Sequence, residues 1–451
     1  MHLAGDLIAA TTRPSRTTGD GRSRAGAAHV RWVFPEAVVT PFHGRHVVGR
    51  DVSCDTILRG LEISRRHAEF RIEGLLLSVR DLDSRNGVFV NGVAHAEAPL
   101  APGYVLRCGE WVGVVCAGSD TSGLREIAPD WFGGSTLAAV AESVRRVATT
   151  DLSIVVQGET GTGKEGMARA IHHWSCRPGP FVAVNCATLP VHLAEAELFG
   201  HRRGAFTGAD NAGLGLFRAA HTGTIFLDEL LDLPAVVQPK LLRVLEEREV
   251  LPLGETKPVA VDVRVVASSQ ESLSSAVASQ RFRADLLARL DGLTVVLPPL
   301  RTRREDIAPL LGEFLRQHTG GRPPEIESKL VEALCVYDWP LNVRELLLFV
   351  RRTLSLHRHE KILLKRNLPD QVRSWVPGEA SSGLSSLRPK SARRRTDHEA
   401  EFEAIIDALR SHDGSVAKAA EAVGVSRARA YRLLSAHSEF SLDALRDGIR
   451  S

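Results

Sequence analysis

The order of apolar and polar residues divides the chain into a β-rich part, an α/β part and a helical end. Between residues 29 and 118, short apolar runs such as Val30 to Val33 and Ala68 to Ile72 alternate with turn residues such as Asn86-Gly87. Many short strands over roughly 90 residues predict an all-β sandwich. Residues 1–28 show no periodicity and predict a disordered leader; its threonines could be phosphorylated, although a passive tail is the simpler interpretation.

A second pattern begins at residue 133, where apolar strands alternate with amphipathic helices. This alternation predicts an α/β nucleotide-binding domain with a helical lid from about residue 300. Near the end, apolar residues at helical spacing precede two short helices around Gly424, which predict a helix-turn-helix. The remaining stretches are rich in Gly, Pro, Ser or Arg and predict linkers. The patterns give these segments: 1–28, 29–118, 119–132, 133–372, 373–396, 397–437 and a tail at 438–451.

Composition excludes several classes of protein. Lys and Arg number 57 against 54 Asp and Glu, so the net charge is only +3 and any contact with nucleic acid must come from a local patch. The six cysteines include no CxxC pair, which argues against a zinc site or a disulfide framework. No apolar run reaches the roughly 20 residues that span a bilayer, and no signal peptide is apparent. The sequence therefore predicts a cytoplasmic protein.

A glycine-rich loop follows the apolar run Leu152 to Val156 and precedes a helical segment. A strand, a glycine-rich loop and a helix in this order predict a P-loop, in which backbone N–H groups and the helix start bind phosphate. Lys164 would reach the outer phosphates of ATP, whereas Glu165 replaces the hydroxyl residue that usually ligates Mg²⁺. The predicted nucleotide-binding residues are Gly158, Glu159, Thr160, Gly161, Thr162, Gly163, Lys164 and Glu165.

Two carboxylates end a second apolar strand at Thr224 to Leu227. Asp228 could hold Mg²⁺ directly or through water, offsetting the missing hydroxyl of the P-loop. Glu229 could orient a water molecule against the γ-phosphate. An acidic pair after a strand is common, but its combination with a P-loop predicts ATP hydrolysis.

A segment between these two motifs favours neither helix nor strand. It reads Gly204, Ala205, Phe206, Thr207, Gly208, Ala209, and it predicts a mobile loop that presents one aromatic side chain to a partner. After Glu-Leu-Phe-Gly-His at 197–201, this segment resembles the GAFTGA loop of sigma-54-dependent transcription activators, the bacterial enhancer-binding proteins of the AAA+ class. The P-loop that ends in Glu is also usual in that family.

The resemblance implies roles for further residues in 133–372. Asn185 is similar to a switch asparagine that restrains the catalytic glutamate. Arg283 and Arg289 are similar to arginines that reach a neighbouring subunit's ATP, which implies an oligomeric ring, hexameric when active. Arg344 is similar to a nucleotide-sensing arginine of the lid. The chain departs from the family at Leu341, where Gly is usual, and at Ser268-Ser269-Gln270, which replaces an Ala-Thr-Asn type of sensor.

The β-rich segment resembles a forkhead-associated (FHA) domain, which binds phosphothreonine peptides. The resemblance rests on Gly49-Arg50, Ser64 to His67 and Asp81 to Gly87 at their order and spacing. Guanidinium and hydroxyl groups there suit a phosphate dianion, an amide suits a peptide backbone, and His67 is expected to support the loop from behind. The alternative is an FHA-shaped spacer without a ligand. The predicted peptide-facing residues are Arg50, Ser64, Arg65, Arg85 (where Thr is common) and Asn86.

The last segment resembles the Fis-type DNA-binding end of the same activators. No acidic residue lies between Ala422 and Ser438, so the second short helix is locally basic. Arg427 and Arg429 would face base edges and Arg432 a phosphate. A helical hairpin for dimerisation is the alternative.

Together these expectations describe a sigma-54-dependent activator controlled by a phosphothreonine-containing protein or by a phosphorylated segment of its own. Its partners would be sigma-54 RNA polymerase and upstream DNA, without a membrane. Two rivals remain: a phosphopeptide-responsive DNA-binding adaptor with a vestigial ATPase, and an AAA+ remodeller of another client.

Overall fold

The structure, a computed structural model, describes residues 28–42, 44–73, 76–118, 121–206, 209–373, 375, 409 and 416. The chain divides into two compact units, residues 1–375 and 376–451. In the second unit only Leu409 and Val416 are described, and both are helical and buried. The predicted leader (apart from Ala28), the basic linker beyond Trp375, and the helix-turn-helix with Arg427, Arg429 and Arg432 lie outside the described residues.

Eleven strands in two sheets form the described part of the first domain, which confirms the predicted all-β sandwich. One sheet has the order β2-β1-β11-β10-β7-β8 and the other the order β4-β3-β5-β6-β9. The strands are β1 (His29–Phe34), β2 (Val38–Pro41), β3 (Arg45–Gly49), β4 (Thr56–Ile57), β5 (Ala68–Glu73), β6 (Leu76–Asp81), β7 (Val88–Val90), β8 (Val93–His95), β9 (Glu97–Leu100), β10 (Val105–Cys108) and β11 (Trp111–Cys116).

Residues that alternate along the strands form the core between these sheets. Trp32, Phe70, Leu106 and Trp111 belong to one buried cluster. Successive strand residues point to opposite faces, so the other half of each strand is expected to face solvent. However, every residue of β10 is buried, including Arg107. Something must therefore cover the outer face of the six-stranded sheet.

The predicted linker at 119–132 contains a β-hairpin. Its strands are β12 (Arg125–Ala128) and β13 (Trp131–Gly133). Asp130 makes the turn with φ +59°, and its N–H donates to Glu126 at 3.0 Å. The hairpin is held by packing: the Trp131 ring lies so close to Gly166 that a Cβ added at Gly166 would be 2.6 Å from the ring.

The α/β domain is built on a five-stranded parallel sheet of order β15-β16-β19-β14-β20. Its central strands are continuous apolar runs because helices cover both faces. The elements are α1 (Ser135–Arg145), β14 (Ile154–Gln157), α2 (Lys164–Ser175), β15 (Phe181–Asn185), α3 (Ala194–Phe199), α4 (Leu216–Ala219), β16 (Thr224–Asp228), α5 (Gln238–Glu247), β17 (Glu249–Val250), β18 (Val259–Ala260), β19 (Arg264–Ser269), α6 (Leu273–Ala278), α7 (Ala284–Leu290) and β20 (Leu293–Val296).

The helical lid follows a connection at Leu300. It contains α8 (Ile307–His318), β21 (Glu325–Ile326), α9 (Ser328–Val336), α10 (Asn342–Leu356), β22 (Ile362–Leu363) and α11 (Asp370–Arg373). Its core includes Leu311, Leu334, Trp339 and Leu346. Within the described part of the chain, no helix has the length and apolar character needed to cross a membrane.

Candidate nucleotide site and phosphate-binding groove

The glycine-rich loop between β14 and α2 has the backbone of a phosphate cradle. Gly161 and Gly163 have φ of +77° and +105°, in the left-handed region that favours glycine. Gly163 is the N-cap of α2, so the helix start points into the loop. Lys164 follows at once and is 7% exposed; its Nζ donates to the Gly158 carbonyl at 2.9 Å. An anion would meet backbone N–H groups, a helix N-terminus and one ammonium group here.

The two predicted carboxylates lie at the same edge of the sheet as this loop. Strands β14 and β16 flank β19 in parallel, so their carboxyl ends are near each other. Glu229 Oε1 lies 3.3 Å from Lys164 Nζ, with 21% of the Glu229 side chain exposed. Glu229 has φ +52°, an uncommon value for a residue other than glycine. The structure thus brings Lys164, Asp228 and Glu229 together.

The segment Ser268-Ser269-Gln270 contacts both carboxylates. From the sequence, this segment stood out only as a departure from the family. Ser268 is fully buried on β19; its hydroxyl donates to Asp228 Oδ1 and accepts from the Glu229 N–H at 3.0 Å. Gln270 Nε2 donates to Glu229 Oε1 at 3.0 Å. The sequence signal that could have revealed their role is the run of polar residues at the end of an apolar central strand. These residues fix the orientation of Asp228 and Glu229.

The helical lid also contacts the glycine-rich loop. Val343 N donates to the Gly161 carbonyl at 3.0 Å, and an added Cβ at Gly161 would lie 2.9 Å from Arg344 Cβ. Arg344 is therefore next to the loop. Leu341, the departure from the family, has its carbonyl against Gly161 and leaves Arg344 in place.

Asn342 ties the lid to the loop, and sequence reasoning missed it. This residue is fully buried with φ +53°. Its Nδ2 donates to the Thr160 carbonyl at 3.0 Å, and its Oδ1 accepts from Leu300 N at 2.7 Å. Asn342 Nδ2 and the Arg301 guanidinium also donate to the Glu159 carboxylate. The hydrogen bonds from Arg301 are the main cause that holds the pKa of Glu159 below its ordinary value.

Other predicted residues lie apart from this cluster. Glu165 forms an exposed ion pair with Arg169. Asn185 is paired in register with Asp228, but its side chain accepts from Ala187 N at 3.0 Å; the described partners of Glu229 do not include it. Arg283 forms two hydrogen bonds with Asp285 at the start of α7.

Arg289, on the same helix as Asp285, donates to the Leu245 carbonyl at 3.2 Å. In the described contacts neither Arg283 nor Arg289 reaches the P-loop of its own chain. This placement is compatible with a role at a neighbouring subunit's nucleotide.

The GAFTGA-type loop closes on its own base. Gly204 N donates to the Ala209 carbonyl at 2.8 Å, and Ala209 N donates to the Phe206 carbonyl at 3.0 Å. Phe206 is half-buried, with its ring centroid 5.1 Å from that of His201. Thr207 and Gly208 lie outside the described residues.

A separate groove of about 540 Å³ lies on the β-sandwich. It contains four of the five residues predicted to face a peptide: Arg50, Ser64, Arg65 and Arg85. The Arg85 N–H donates to Ser64 Oγ at 3.0 Å, which joins the two loops. Asn86 is adjacent and donates to the Glu62 carbonyl at 2.7 Å. Four arginines, counting Arg66, face two acids there, so the groove suits an anion.

His67 supports these loops from behind, as predicted. It is fully buried; its Nδ1 accepts from Ser64 N at 3.1 Å, and Nε2 lies 3.1 Å from the Gly87 carbonyl. The backbone donor at Ser64 requires a neutral ring with its proton on Nε2. Burial, the largest cause, lowers the pKa of His67 and favours that neutral form.

A parallel sheet with a P-loop, an acidic strand end and a helical lid defines a P-loop nucleotide-binding domain of the AAA+ class. Residues 133–296 match the sigma-54 interaction domain and residues 301–383 the AAA+ ATPase lid domain. Residues 46–109 match the FHA domain, and residues 398–431 match the bacterial regulatory proteins of the Fis family. The chain belongs to the family of sigma-54-dependent transcriptional regulators.

Individual relatives agree with this assignment. The chain is 40% identical over 298 residues to the putative uric acid sigma-54-dependent transcriptional regulator UacR of Escherichia coli K12, covering 64% of this chain and 50% of that one. It is 37% identical over 311 residues to the regulatory protein AtoC of the same strain, covering 67% and 66%. The chain thus spans about half to two thirds of the length of these relatives.

A crystal structure of NtrX from Brucella abortus in complex with ATP is similar to the described fold. The sequence identity is 32%, and the match covers 69% of this chain and 70% of that one with a TM-score of 0.50.

Proposed function

We propose that this chain hydrolyses ATP in an oligomeric ring, remodels sigma-54 RNA polymerase at promoters in the cytoplasm, and is controlled by phosphothreonine recognition. The observation that carries the proposal is the convergence of Lys164, Asp228 and Glu229 in the domain that also bears the Gly204 to Ala209 loop. ATP binding is supported by the cradle at Gly161 and Gly163 and by the ATP complex of NtrX.

The residues at this edge fit a nucleotide with Mg²⁺. Asp228 would hold the cation, since a carboxylate is a ligand that Mg²⁺ accepts. Glu165 instead forms an exposed ion pair with Arg169. Mg²⁺ would neutralise charge on the phosphates. Among the described residues no group of three or more His, Cys, Asp or Glu could hold a metal ion.

Lys164 and Glu229 would change partners during the cycle. Lys164 pairs with Glu229 at 3.3 Å, and a bound phosphate would compete for its ammonium group. Glu229, still held by Gln270, would then orient a water molecule for attack. Arg283 or Arg289 of a neighbouring subunit would stabilise the transferring phosphoryl group. Asn185 would restrain Glu229 in another state of the cycle.

The other parts of the chain would contact sigma-54, bind DNA and receive the signal. The loop from Gly204 to Ala209, with Phe206 and Thr207 at its centre, would contact sigma-54. Arg427, Arg429 and Arg432 would hold upstream DNA. Phosphothreonine in the groove of Arg50, Ser64 and Arg65 would supply the signal, with Asn86 on the peptide backbone and Arg85 in reach of the phosphate.

The first test is open-complex formation by sigma-54 polymerase on supercoiled promoter DNA with ATP. We expect the wild-type chain to open the promoter and Lys164→Ala to fail, because the γ-phosphate loses its ammonium partner. Lys329→Ala, an exposed lysine of the lid, is the matched control and should open normally. Opening by Lys164→Ala at the wild-type rate would refute the activator function.

A second test separates the rival functions. Phe206→Ala should hydrolyse ATP yet lose sigma-54 binding in the presence of a transition-state analogue. Undetectable ATP turnover by the wild-type chain at high concentration would favour the DNA-binding adaptor, and turnover without sigma-54 binding would favour another client.

A third test concerns the groove. The full chain should retain phosphothreonine peptides from a degenerate pool and ignore the unphosphorylated pool. Arg50→Ala should abolish retention, whereas Arg80→Ala, an exposed arginine of β6, should not. Equal retention of both pools would indicate an FHA-shaped spacer.

A further inference from the structure

The outer face of β10 and β11 is buried, although the core between the sheets uses only their inner face. Leu106 and Trp111 belong to the core of the sandwich, whereas Val105 and Val112 belong to the same hydrophobic cluster as lid residues such as Leu311. Alternation along each strand explains the division. The ATPase lid therefore covers this face of the FHA domain.

One ion pair lies inside this contact. Arg107 Nε donates to Glu332 Oε2 of α9 at 2.7 Å, and each side chain is 6% exposed. Arg107 also lies over the ring of Phe89, its neighbour on β7, at 3.7 Å from the centroid. The other oxygen, Glu332 Oε1, has no partner in the contact. A buried pair of this kind is costly when one member is lost, because the other charge stays unpaired.

The turn between β10 and β11 joins this contact to the phosphate-binding groove. On one side, the Gly109 carbonyl accepts from Arg107 at 3.4 Å and from Ser328 of α9 at 3.5 Å. On the other side, Glu62 of the groove packs on Gly109 so closely that an added Cβ would lie 2.6 Å from the Glu62 carbonyl. That same carbonyl accepts from Asn86. Gly109 also has φ +56°, so glycine suits both the left-handed backbone and the close approach of Glu62.

A second connection runs through β7. The strand begins at Val88, directly after Gly87 and Asn86, and Asn86 is adjacent to the groove. The guanidinium of Arg107 lies over the ring of Phe89 on this strand. Both connections end at Glu332 and Ser328 on one helix of the lid. The lid in turn touches the P-loop through Val343 and Asn342.

We propose that the β10–β11 face of the FHA domain is a docking surface for helix α9 of the ATPase lid in the same chain, and that it couples occupancy of the phosphate-binding groove to nucleotide affinity. The coupling rests on the proposed function of the groove. Two states are required, with α9 docked on or released from Arg107, and a phosphopeptide that shifts the Glu62 and Asn86 loops favours one of them. Binding linkage is reciprocal, so nucleotide must change phosphopeptide affinity by the same factor.

Docking is tested without any ligand, by hydrogen exchange in the full chain. Glu332→Arg places two cations together and should speed exchange in residues 328–336 at least tenfold. The double variant Arg107→Glu with Glu332→Arg restores a pair and should recover most of the protection. Lys329→Glu reverses an exposed charge on the same helix and should leave exchange unchanged.

If Glu332→Arg does not fold, Glu332→Gln serves in its place, because it keeps the shape of the side chain and removes its charge. Equal exchange in the charge-altered variant and in Lys329→Glu would overturn the docking surface.

Coupling is tested by titrating a fluorescent ADP analogue with and without a phosphothreonine peptide from the degenerate pool. The wild-type chain should change its nucleotide Kd at least threefold when peptide is bound, and peptide Kd should change by the same factor with nucleotide. Glu332→Gln should bind both ligands and lose most of this factor.

Peptide binding that leaves the wild-type nucleotide Kd unchanged would overturn the coupling while the proposed phosphopeptide function stands. No peptide binding at all would refute that function and its coupling, and the exchange experiment would still decide the docking surface.

Discussion

His67 shows how one buried side chain can make the phosphate-binding groove sensitive to pH. Burial lowers its pKa below the ordinary value of 6.5. Below pH 6.5 the unfolded chain binds a proton that the folded chain does not, so stability falls as the pH falls. Above pH 6.5 the contribution of His67 is fully present. A protonated Nδ1 would also face the Ser64 N–H, which donates to it in the fold.

We therefore expect the β-sandwich to lose thermal stability from about pH 7 towards about pH 5, in the range where histidine titrates. Thermal unfolding of wild type and His67→Gln across this range is the measurement. His67→Gln should start lower and show a flatter profile, and His95→Gln, an exposed histidine on β8, should follow wild type. Parallel profiles for wild type and His67→Gln would contradict this account.

Ser268 is the residue whose role differs most from its first interpretation. Because its hydroxyl bonds to Asp228 and to the Glu229 backbone, Ser268→Ala should disorder both carboxylates. We expect the loss of these hydrogen bonds to raise the activation free energy by about 1–2 kcal/mol, which corresponds to roughly a tenfold lower kcat. The KM for ATP should change little, since the P-loop is untouched.

Steady-state ATPase kinetics measure this split. Ser269→Ala is the control: Ser269 is also buried on β19, but its hydroxyl donates to the Glu271 carbonyl. A raised KM with normal kcat in Ser268→Ala would assign the residue to nucleotide binding instead.

At the scale of elements, the start of α10 depends on an asparagine in a left-handed conformation. Asn342 connects Leu300, Thr160 and Glu159 while holding φ at +53°. Removing this side chain should weaken the contact between lid and P-loop. Alanine loses the hydrogen bonds and also adopts an unfavourable φ, at a further cost of about 1–2 kcal/mol. Glycine loses only the hydrogen bonds.

Asn342→Ala is thus expected to unfold at lower urea than Asn342→Gly, the reverse of the usual ranking of these residues in helices. Both should bind nucleotide roughly tenfold more weakly than wild type, about 1.4 kcal/mol. Equilibrium urea unfolding and nucleotide titration measure the two effects. If alanine proves the more stable, backbone conformation at Asn342 is not what limits this junction.

At the scale of the whole molecule, the ATPase site is expected to need two subunits. Arg283 and Arg289 do not reach the P-loop of their own chain in the described contacts. Lys164→Ala should lose the ammonium group that binds ATP in its own subunit. Arg289→Ala should lose the guanidinium group that reaches the ATP of a neighbouring subunit. Each variant alone is expected to lose roughly 1,000-fold or more in activity, because an arginine finger contributes about 10³–10⁵ in kcat.

Mixing the two inactive variants tests this arrangement directly. Mixed rings contain sites with an intact P-loop from one subunit and an intact Arg289 from the next, so part of the ATPase activity should return. The same experiment with Arg283→Ala decides which arginine acts, and Arg243→Ala, an exposed arginine of α5, is the control. No recovery with either arginine variant would place both outside the active site.

The sequence by itself determined those features that depend on local order. Gly158 to Lys164 predicted the cradle because glycine spacing decides backbone conformation, and Thr224 to Glu229 predicted the acidic strand end because a buried strand is a continuous apolar run. Alternation of short runs predicted the β-sandwich. His67 was placed correctly because it lies within the motif that forms the groove.

Only the tertiary structure decided which distant groups meet. Ser268 looked like a departure until β19 placed its hydroxyl between Asp228 and Glu229, and Asn342 had no local signal for its three partners. Strand alternation could not say what covers the outer face of β10; Arg107 and Glu332 are 225 residues apart, and their contact exists only once the lid packs on the sandwich. Local patterns specify backbone and burial, whereas long-range partners follow from how buried faces pack together.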